Sequence, residues 1–290
     1  MIKKIASLLV LCISTAQATV LLMTHSHNRP DFIEIQYHTF KKFLKDDYEF
    51  IVFNDAPSED MRNQIEIMCK KYGLRCIRIP QTIHTYAYLY RLPRESFNNP
   101  CVRCANVVQY SLNEVGLKHD DIVAIIDSDM FLVKEFSIRE YMRNTDLAGV
   151  HQARDNGVEY IWNGLVFFDM RTQPNKERIN FNCGEVNRTP VDVGGQMHHY
   201  LKQTPQARVT FIQQDYVANH ASKSNVELAS LGFSAPMTRF IQANPPVVEL
   251  YANGAFIHYR SGTNWDRQST RYHMSKTQIL NQLIEELVAH

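Results

Sequence analysis

The chain has 290 residues, 44% of them hydrophobic and 21% charged. That is enough to build a sizeable core, as one large domain or two small ones. The formal net charge of +1 excludes a general electrostatic attraction to nucleic acid or to an anionic membrane, and no repeat of solenoid length is present.

In chain order, MIKKIASLLVLCISTAQA comes first. Lys3 and Lys4, an apolar stretch from Ile5 to Ile13 and then Ala16-Gln17-Ala18 have the order of a secretory signal peptide. The apolar stretch is short for a membrane span. No later run reaches about 18 apolar residues, so no transmembrane span is expected in the mature chain. The expected organisation is a signal peptide at 1–18 and a single domain at 19–290.

TVLLMTH (19–25) reads as a strand, closed by the breakers His27-Asn28-Arg29-Pro30. Residues 31–45 carry Phe32, Ile35, Phe40, Phe43 and Leu44 at helical spacing. YEFIVFND (48–55) reads as a second strand and Ser58 to Tyr72 as a helix stopped by Gly73. LRCIRIP is a third strand, closed by Pro80. Residues 81–98 are aromatic and interrupted by proline, which predicts loop and short helix. Pro100 opens a helix ended by Gly116, and DDIVAIIDSDMFLV reads as a fourth strand. This alternation predicts an α/β fold with a mainly parallel central sheet and helices on both faces. At the other end, SKTQILNQLIEELVAH places Ile279, Leu280, Leu283, Ile284 and Leu287 on one face of a closing amphipathic helix.

Five cysteines lie beyond the leader: Cys69, Cys76, Cys101, Cys104 and Cys183. The number is odd, so at least one lacks a partner within the chain. Cys101-Val-Arg-Cys104 has redox or zinc spacing, but no second ligand pair of suitable spacing accompanies it. Half-buried thiols or one disulfide is the expectation.

The fourth strand carries chemistry. Asp127 and Asp129 stand at its carboxyl end, where open α/β sheets bind ligands. Residues two apart on a strand share a face, so both carboxylates are expected to reach one point. Two buried like charges are costly, and a hard cation such as Mn²⁺ or Mg²⁺ removes that cost while holding phosphates. Downstream, GVEYIWNGLVFFDM reads as a strand broken by Asn163-Gly164, the glycine letting a ligand approach the backbone. FIHYRSGTNWD places His258 after an apolar strand, as a third ligand suited to Mn²⁺. Arg260 follows as a phosphate clamp.

Taken in order, TVLLMTHSHNRP, YEFIVFND, PCVRCANVVQYSLNE, IIDSDMFLV, WNGLVFFDM, DVGG, QQDYVAN and HYRSGTNW resemble a GT-A-fold glycosyltransferase that uses nucleotide-sugar donors. Some features are similar to glycosyltransferase family 8. The chain departs from that family at Gln213-Gln214-Asp215, and at His258 to Trp265, which lacks the Lys-Pro of the late motif. The family's phosphate-binding lysine is therefore missing, and Arg260 or Arg267 would have to replace it.

The resemblance implies a nucleotide-sugar donor, a carbohydrate, protein or lipid acceptor and a Mn²⁺ (or Mg²⁺) cofactor. Asp129 and His258 would bind the metal, and Asp127 the metal or the ribose. Thr24, His25 and Asp55 would line the base and ribose pocket. Arg103 would contact the donor sugar or brace Asp127. Asn163, Gly164, Gln214 and Asp215 would surround the sugar and acceptor. Asp55 also reads as a helix cap, Asn163 as a turn and Arg103 as a structural pair. An inverting enzyme needs a general base, with Asp192, Asp215 or Glu159 as candidates; resemblance to family 8 favours retention. The irregular stretch 171–210 is expected on the acceptor side of the cleft.

Two other classes compete with this reading. A phosphatase-like hydrolase using Asp-x-Asp as nucleophile and acid wants Thr or Val where Phe131 stands. A catalytically inactive nucleotide-sugar- or carbohydrate-binding protein is the alternative. The leader implies a lumenal enzyme of the ER-Golgi pathway or an exported protein.

Overall fold

The computed structural model describes residues 19–84, 99–262 and 269–289. The leader with Cys12, the aromatic stretch 85–98, and Trp265 and Arg267 lie outside them.

The first half alternates strand and helix. It runs β1 Val20–Ser26, α1 Pro30–Phe43, β2 Tyr48–Asn54, α2 Glu59–Lys71, β3 Arg75–Arg78, α3 Pro100–Glu114 and β4 Ile122–Ile126. Then come β5 Met130–Leu132, α4 Ile138–Tyr141, β6 Leu147–Arg154 and β7 Val158–Asp169. A small hairpin, β8 Gly184–Val186 with β9 Thr189–Val191, precedes α5 Met197–Gln203, β10 Val209–Ile212 and β11 Gln214–Tyr216. The chain ends with α6 Asn225–Ser230, α7 Ala235–Gln242, β12 Glu249–Tyr251, β13 Phe256–His258 and α8 Thr270–Ala289.

Seven strands form the main sheet in the order β10-β6-β7-β4-β1-β2-β3. All pairs are parallel except those of β7, which runs antiparallel to β4 and β6. The expected mainly parallel α/β sheet is therefore present. Each strand of its middle buries both faces, as the period of two requires. Val20, Leu22 and Val52 meet α1 and α2 through Ile33, Phe40, Ile65 and Cys69. Leu21, Met23, Ile51 and Phe53 meet α3 and α5 through Val107, Val108, Leu112, Met197 and Tyr200. The closing helix packs Leu280, Leu283, Ile284 and Leu287 into a third cluster with α1 and α7.

Two local expectations are corrected. DDIVAIIDSDMFLV is not one strand. β4 belongs to the main sheet, while β5 joins a second sheet, β11-β12-β13-β5, and Asp127, Ser128 and Asp129 form the turn between them. Their carboxylates thus meet through a turn, not through strand alternation. GVEYIWNGLVFFDM, in contrast, is not broken: β7 runs through Asn163 and Gly164. The ladder steps from Gly149↔Val166 to Val150↔Trp162, leaving three residues of β7 without partners on β6. This bulge carries Asn163 and Gly164 against the Asp127 turn.

Candidate active site

The Asp127–Asp129 turn is held by backbone groups and one buried amide. Asp127 N–H donates to the carbonyl of Gly164 (2.9 Å), and Met130 N–H donates to that of Asp127 (3.1 Å). Gln36 Nε2 donates to the carbonyls of Asp127 (2.8 Å) and Met130 (3.1 Å). The second strand of the site closes over the turn from the other side. Tyr259 N–H donates to the Asp129 carbonyl (2.8 Å), Gly262 N–H donates to Asp129 Oδ2 (2.9 Å), and His258 Nε2 lies 3.3 Å from Asp129 Oδ1.

One ligating atom each from Asp127, Asp129 and His258 lies within 4.8 Å of the others, the only such group of three among the described residues. Donor atoms around a hard divalent ion at about 2.0–2.6 Å are separated by no more than about 5 Å, so the span fits one cation. The electrostatics fit as well. Burial and then the charge of Asp129 push the Asp127 carboxyl up to about 7. Burial also pushes Asp129 up, but the charge and hydrogen bond of His258 and the Gly262 N–H outweigh it and hold Asp129 below the usual carboxylate range. Burial lowers His258, yet Asp129 and Glu249 overcome this and raise it to about 10. Three acids around one imidazole are a buried negative excess, which a cation relieves. Carboxylate oxygen with imidazole nitrogen suits Mn²⁺.

Glu249 was not among the sequence candidates. Its Oε2 lies 2.7 Å from His258 Nδ1, and Tyr251 donates to the same oxygen at 2.9 Å. With the Nδ1 proton held there, Nε2 faces Asp129 and is the nitrogen that would ligate once a cation displaces its proton. The signal was present: an acid inside the apolar run VVELYAN is the same anomaly that singled out Asp127. Gln36 and Lys276 were missed likewise. Gln36 is fully buried, four residues from both Phe32 and Phe40 on the apolar stripe of α1. Lys276, buried four residues before Leu280, donates to the Arg260 carbonyl at 2.6 Å. Burial lowers its ammonium to about 8, although the Asp129 and Glu249 charges oppose this.

The donor-side candidates fall into a different pattern. Asp55 is a buried hub, not a free ribose ligand. It meets Arg103 Nε (2.8 Å), His84 Nε2 (2.8 Å) and Gln81 Nε2 (3.1 Å). Burial raises its carboxyl, but hydrogen bonds from His27 and His84 and the charges of His84 and Arg103 hold it far below normal. Arg103 therefore braces Asp55 and Gln81 (2.7 Å), where bracing of Asp127 or contact with the sugar was expected. His25 donates to Ser111 Oγ at 2.8 Å, because Ser111 spends its own proton on the Val108 carbonyl. Thr24 points to the opposite face of β1 and is fully buried, with no hydrogen-bond partner for its hydroxyl among the described residues.

Asn163 donates to Cys104 Sγ at 3.5 Å. Gly164 does not leave room for a ligand: a Cβ there would lie 2.0 Å from the Trp162 ring. That ring fills the space and reaches His258, centroid to centroid 5.2 Å. Arg260 stands at the rim, more than half exposed and 3.5 Å from Glu249 Oε1.

The acceptor-side candidates separate by strand face. Tyr216, Glu249 and His258 stand opposite one another across β11, β12 and β13, so their side chains share the site face. Gln214, two residues away, shares it and donates to Tyr216 Oη at 3.3 Å. Asp215 faces away. It accepts from Asn219 (2.7 Å) and lies 2.5 Å from His220 Nε2. Burial raises it, but these bonds and the Tyr216 N–H outweigh that and lower it, which makes it a poor base. Asp192 is exposed, its charge acting on both Cys104 and Asp127. Glu159 is exposed and lies 3.9 Å from His151.

No family model and no curated protein matches the chain. Among solved structures, it is similar to the galactosyltransferase LgtC in complex with donor and acceptor sugar analogues. The TM-score is 0.46 at 13% identity, covering 90% of this chain and 95% of that one. It is also similar to the apo form of the glycosyltransferase GlyE of Streptococcus pneumoniae, with TM-score 0.42 at 13% identity over 93% of this chain and 64% of that one. A third is core-mannan synthase A of Aspergillus fumigatus in a Mn/GDP form, with TM-score 0.36 at 10% identity over 54% of this chain. The chain spans 61% of the length of that synthase.

Proposed function

We propose that the protein is a metal-dependent glycosyltransferase of the GT-A type, moving a sugar from a nucleoside-diphosphate sugar to a carbohydrate, protein or lipid acceptor. The observation that carries this is the convergence within 4.8 Å of Asp127 and Asp129, in the turn that leaves a parallel strand, with His258 of β13, at the end where open α/β sheets take ligands. The reading includes a leader at 1–18, a single domain from 19 and action in the secretory pathway or after export. No helix among the described residues is long and apolar enough to cross a membrane.

The roles divide by position. Asp127, Asp129 and His258 would hold Mn²⁺ or Mg²⁺, whose charge stabilises a departing diphosphate. Glu249 keeps His258 Nε2 turned inward, and Gly262 N–H and Gln36 hold the acids in place. Arg260 offers a half-exposed guanidinium at the rim for phosphate. Trp162, Gln214 and Tyr216 present ring faces and an amide on the site side, groups that suit a sugar. Asp192 is the acid placed to act as base if the reaction inverts. The tightly bonded, outward-facing Asp215 fits a retaining enzyme, which may dispense with one.

The test is hydrolysis of a panel of nucleotide sugars with Mn²⁺, with EDTA and with Asp129→Asn. Turnover of one donor, lost on chelation and in the variant, is the expected result. Binding of a donor without turnover would turn the reading into a nucleotide-sugar-binding protein. If no donor binds, the proposal fails.

A further inference from the structure

The five described cysteines are not scattered. Cys69, in the last turn of α2, and Cys76, on β3, are in thiol–thiol hydrogen-bond contact. Cys101, in the first turn of α3, is in the same contact with Cys183, which precedes β8. The two members of each pair come from different elements, and the two pairs lie in separate parts of the core. Cys104 packs in the same small cluster as Cys101 and Cys183, but its sulfur accepts from Asn163 Nδ2 at 3.5 Å. The helical Cys-x-x-Cys spacing therefore does not bring its own two thiols together as a unit: Cys101 faces Cys183.

We propose that Cys69–Cys76 and Cys101–Cys183 are two disulfide sites and that Cys104 stays a thiol. This accounts for the odd count, and two separate sulfur–sulfur contacts among five residues fit paired cysteines better than inert packing. Each bond forms by exchange with a small disulfide such as oxidised glutathione. One protein thiolate attacks the donor and releases a first reduced thiol. The second protein thiolate attacks the mixed disulfide and releases the other. Two protein thiols are oxidised, and one donor disulfide is reduced to two thiols. Cys76 and Cys101 are partly exposed, so a small donor can reach one member of each pair.

The two bonds act differently. Cys69–Cys76 staples neighbouring elements seven positions apart in sequence. Cys101–Cys183 joins positions 82 apart and so removes roughly twice the freedom from the unfolded chain. It also fixes the first turn of α3, which carries Arg103 to Asp55. Oxidation at this second site would hold the nucleotide side of the cleft in place.

The experiment equilibrates the full chain in reduced or oxidised glutathione, alkylates free thiols and maps peptides without reduction. The expected result under oxidising conditions is two linked peptide pairs, 69–76 and 101–183, with the label on Cys12 and Cys104. Melting temperature should rise by about 5 °C or more on oxidation. Cys101→Ser should remove roughly two thirds of that rise and Cys69→Ser about one third. Because each variant is compared with itself in the two buffers, a packing loss common to both cancels. Full alkylation of all cysteines in oxidised glutathione, or a Cys101–Cys104 link, overturns the proposal.

Discussion

Glu249 and His258 face each other across neighbouring strands, with Oε2 2.7 Å from Nδ1. Burial raises the Glu249 carboxyl, but the hydrogen bond and charge of His258 outweigh this and lower it, so it accepts and His258 donates. The pair fixes the ring angle of His258 and keeps its Nδ1 proton in place. Glu249→Gln should weaken Mn²⁺ binding about 10- to 100-fold, read by metal titration on folded protein. A variant that binds Mn²⁺ as tightly as the parent would remove Glu249 from the site.

Gln36 braces from behind the turn that carries the two acids. Its amide is the only side chain among the described residues bonded to the carbonyls of both Asp127 and Met130. Gln36→Met keeps the volume and leaves the buried Met130 carbonyl short of a side-chain donor, at a cost of about 1–3 kcal/mol. Chemical denaturation should show that loss, and Mn²⁺ affinity should fall with it. Lost stability with unchanged affinity would mean that the turn keeps its shape without the amide.

His25 gives a pH dependence. Burial, only partly opposed by the charge of Asp55, lowers its imidazole to about 4, against about 6.5 in the unfolded chain. Between those values the unfolded chain takes up a proton that the folded one refuses. Stability from this group is thus complete above about pH 6.5 and is lost as pH falls toward 4. The size is about 2 kcal/mol, allowing for the part-exposed ring. Urea unfolding at pH 4.5 and 7.5 should show a larger difference for the parent than for His25→Gln, which keeps a donor for Ser111. Equal differences would place the acid sensitivity elsewhere.

Much of this architecture is written in local pattern. Strands with two buried faces read as apolar runs, and the breakers Pro30, Gly73, Pro80 and Gly116 fall at element ends. The trio of Asp127, Asp129 and His258 was legible because acids and a histidine in apolar strands are anomalies that chemistry must explain. What was not legible is set by long-range pairing. Nothing local says that β5 leaves the main sheet, or that β7 runs antiparallel, since both are equally apolar. The facing of Asp215 depends on its register with Leu250, and the engagement of Arg103 with Asp55 joins residues 48 positions apart. Glu249, Gln36 and Lys276 lie between these cases. Each is a polar residue on an apolar stripe, a signal that becomes specific only once the neighbouring element is known.

Gly164 separates two explanations of a glycine in a strand. Its backbone is not left open for a ligand; the Trp162 ring occupies the place where a side chain would stand, 2.0 Å from an added Cβ. Gly164→Ala must therefore displace the ring, which packs toward Tyr251 (6.2 Å) and His258 (5.2 Å). Overpacking of this kind costs about 1–3 kcal/mol. With Trp265→Phe as background, Trp162 becomes the only tryptophan, and its emission should shift toward that of a solvated indole. Trp162→Ala frees the space, so adding Gly164→Ala to it should cost little. That gives a coupling between the two sites of roughly the single-variant loss. If Gly164→Ala is as costly without the Trp162 ring as with it, the glycine answers to the backbone and not to the indole.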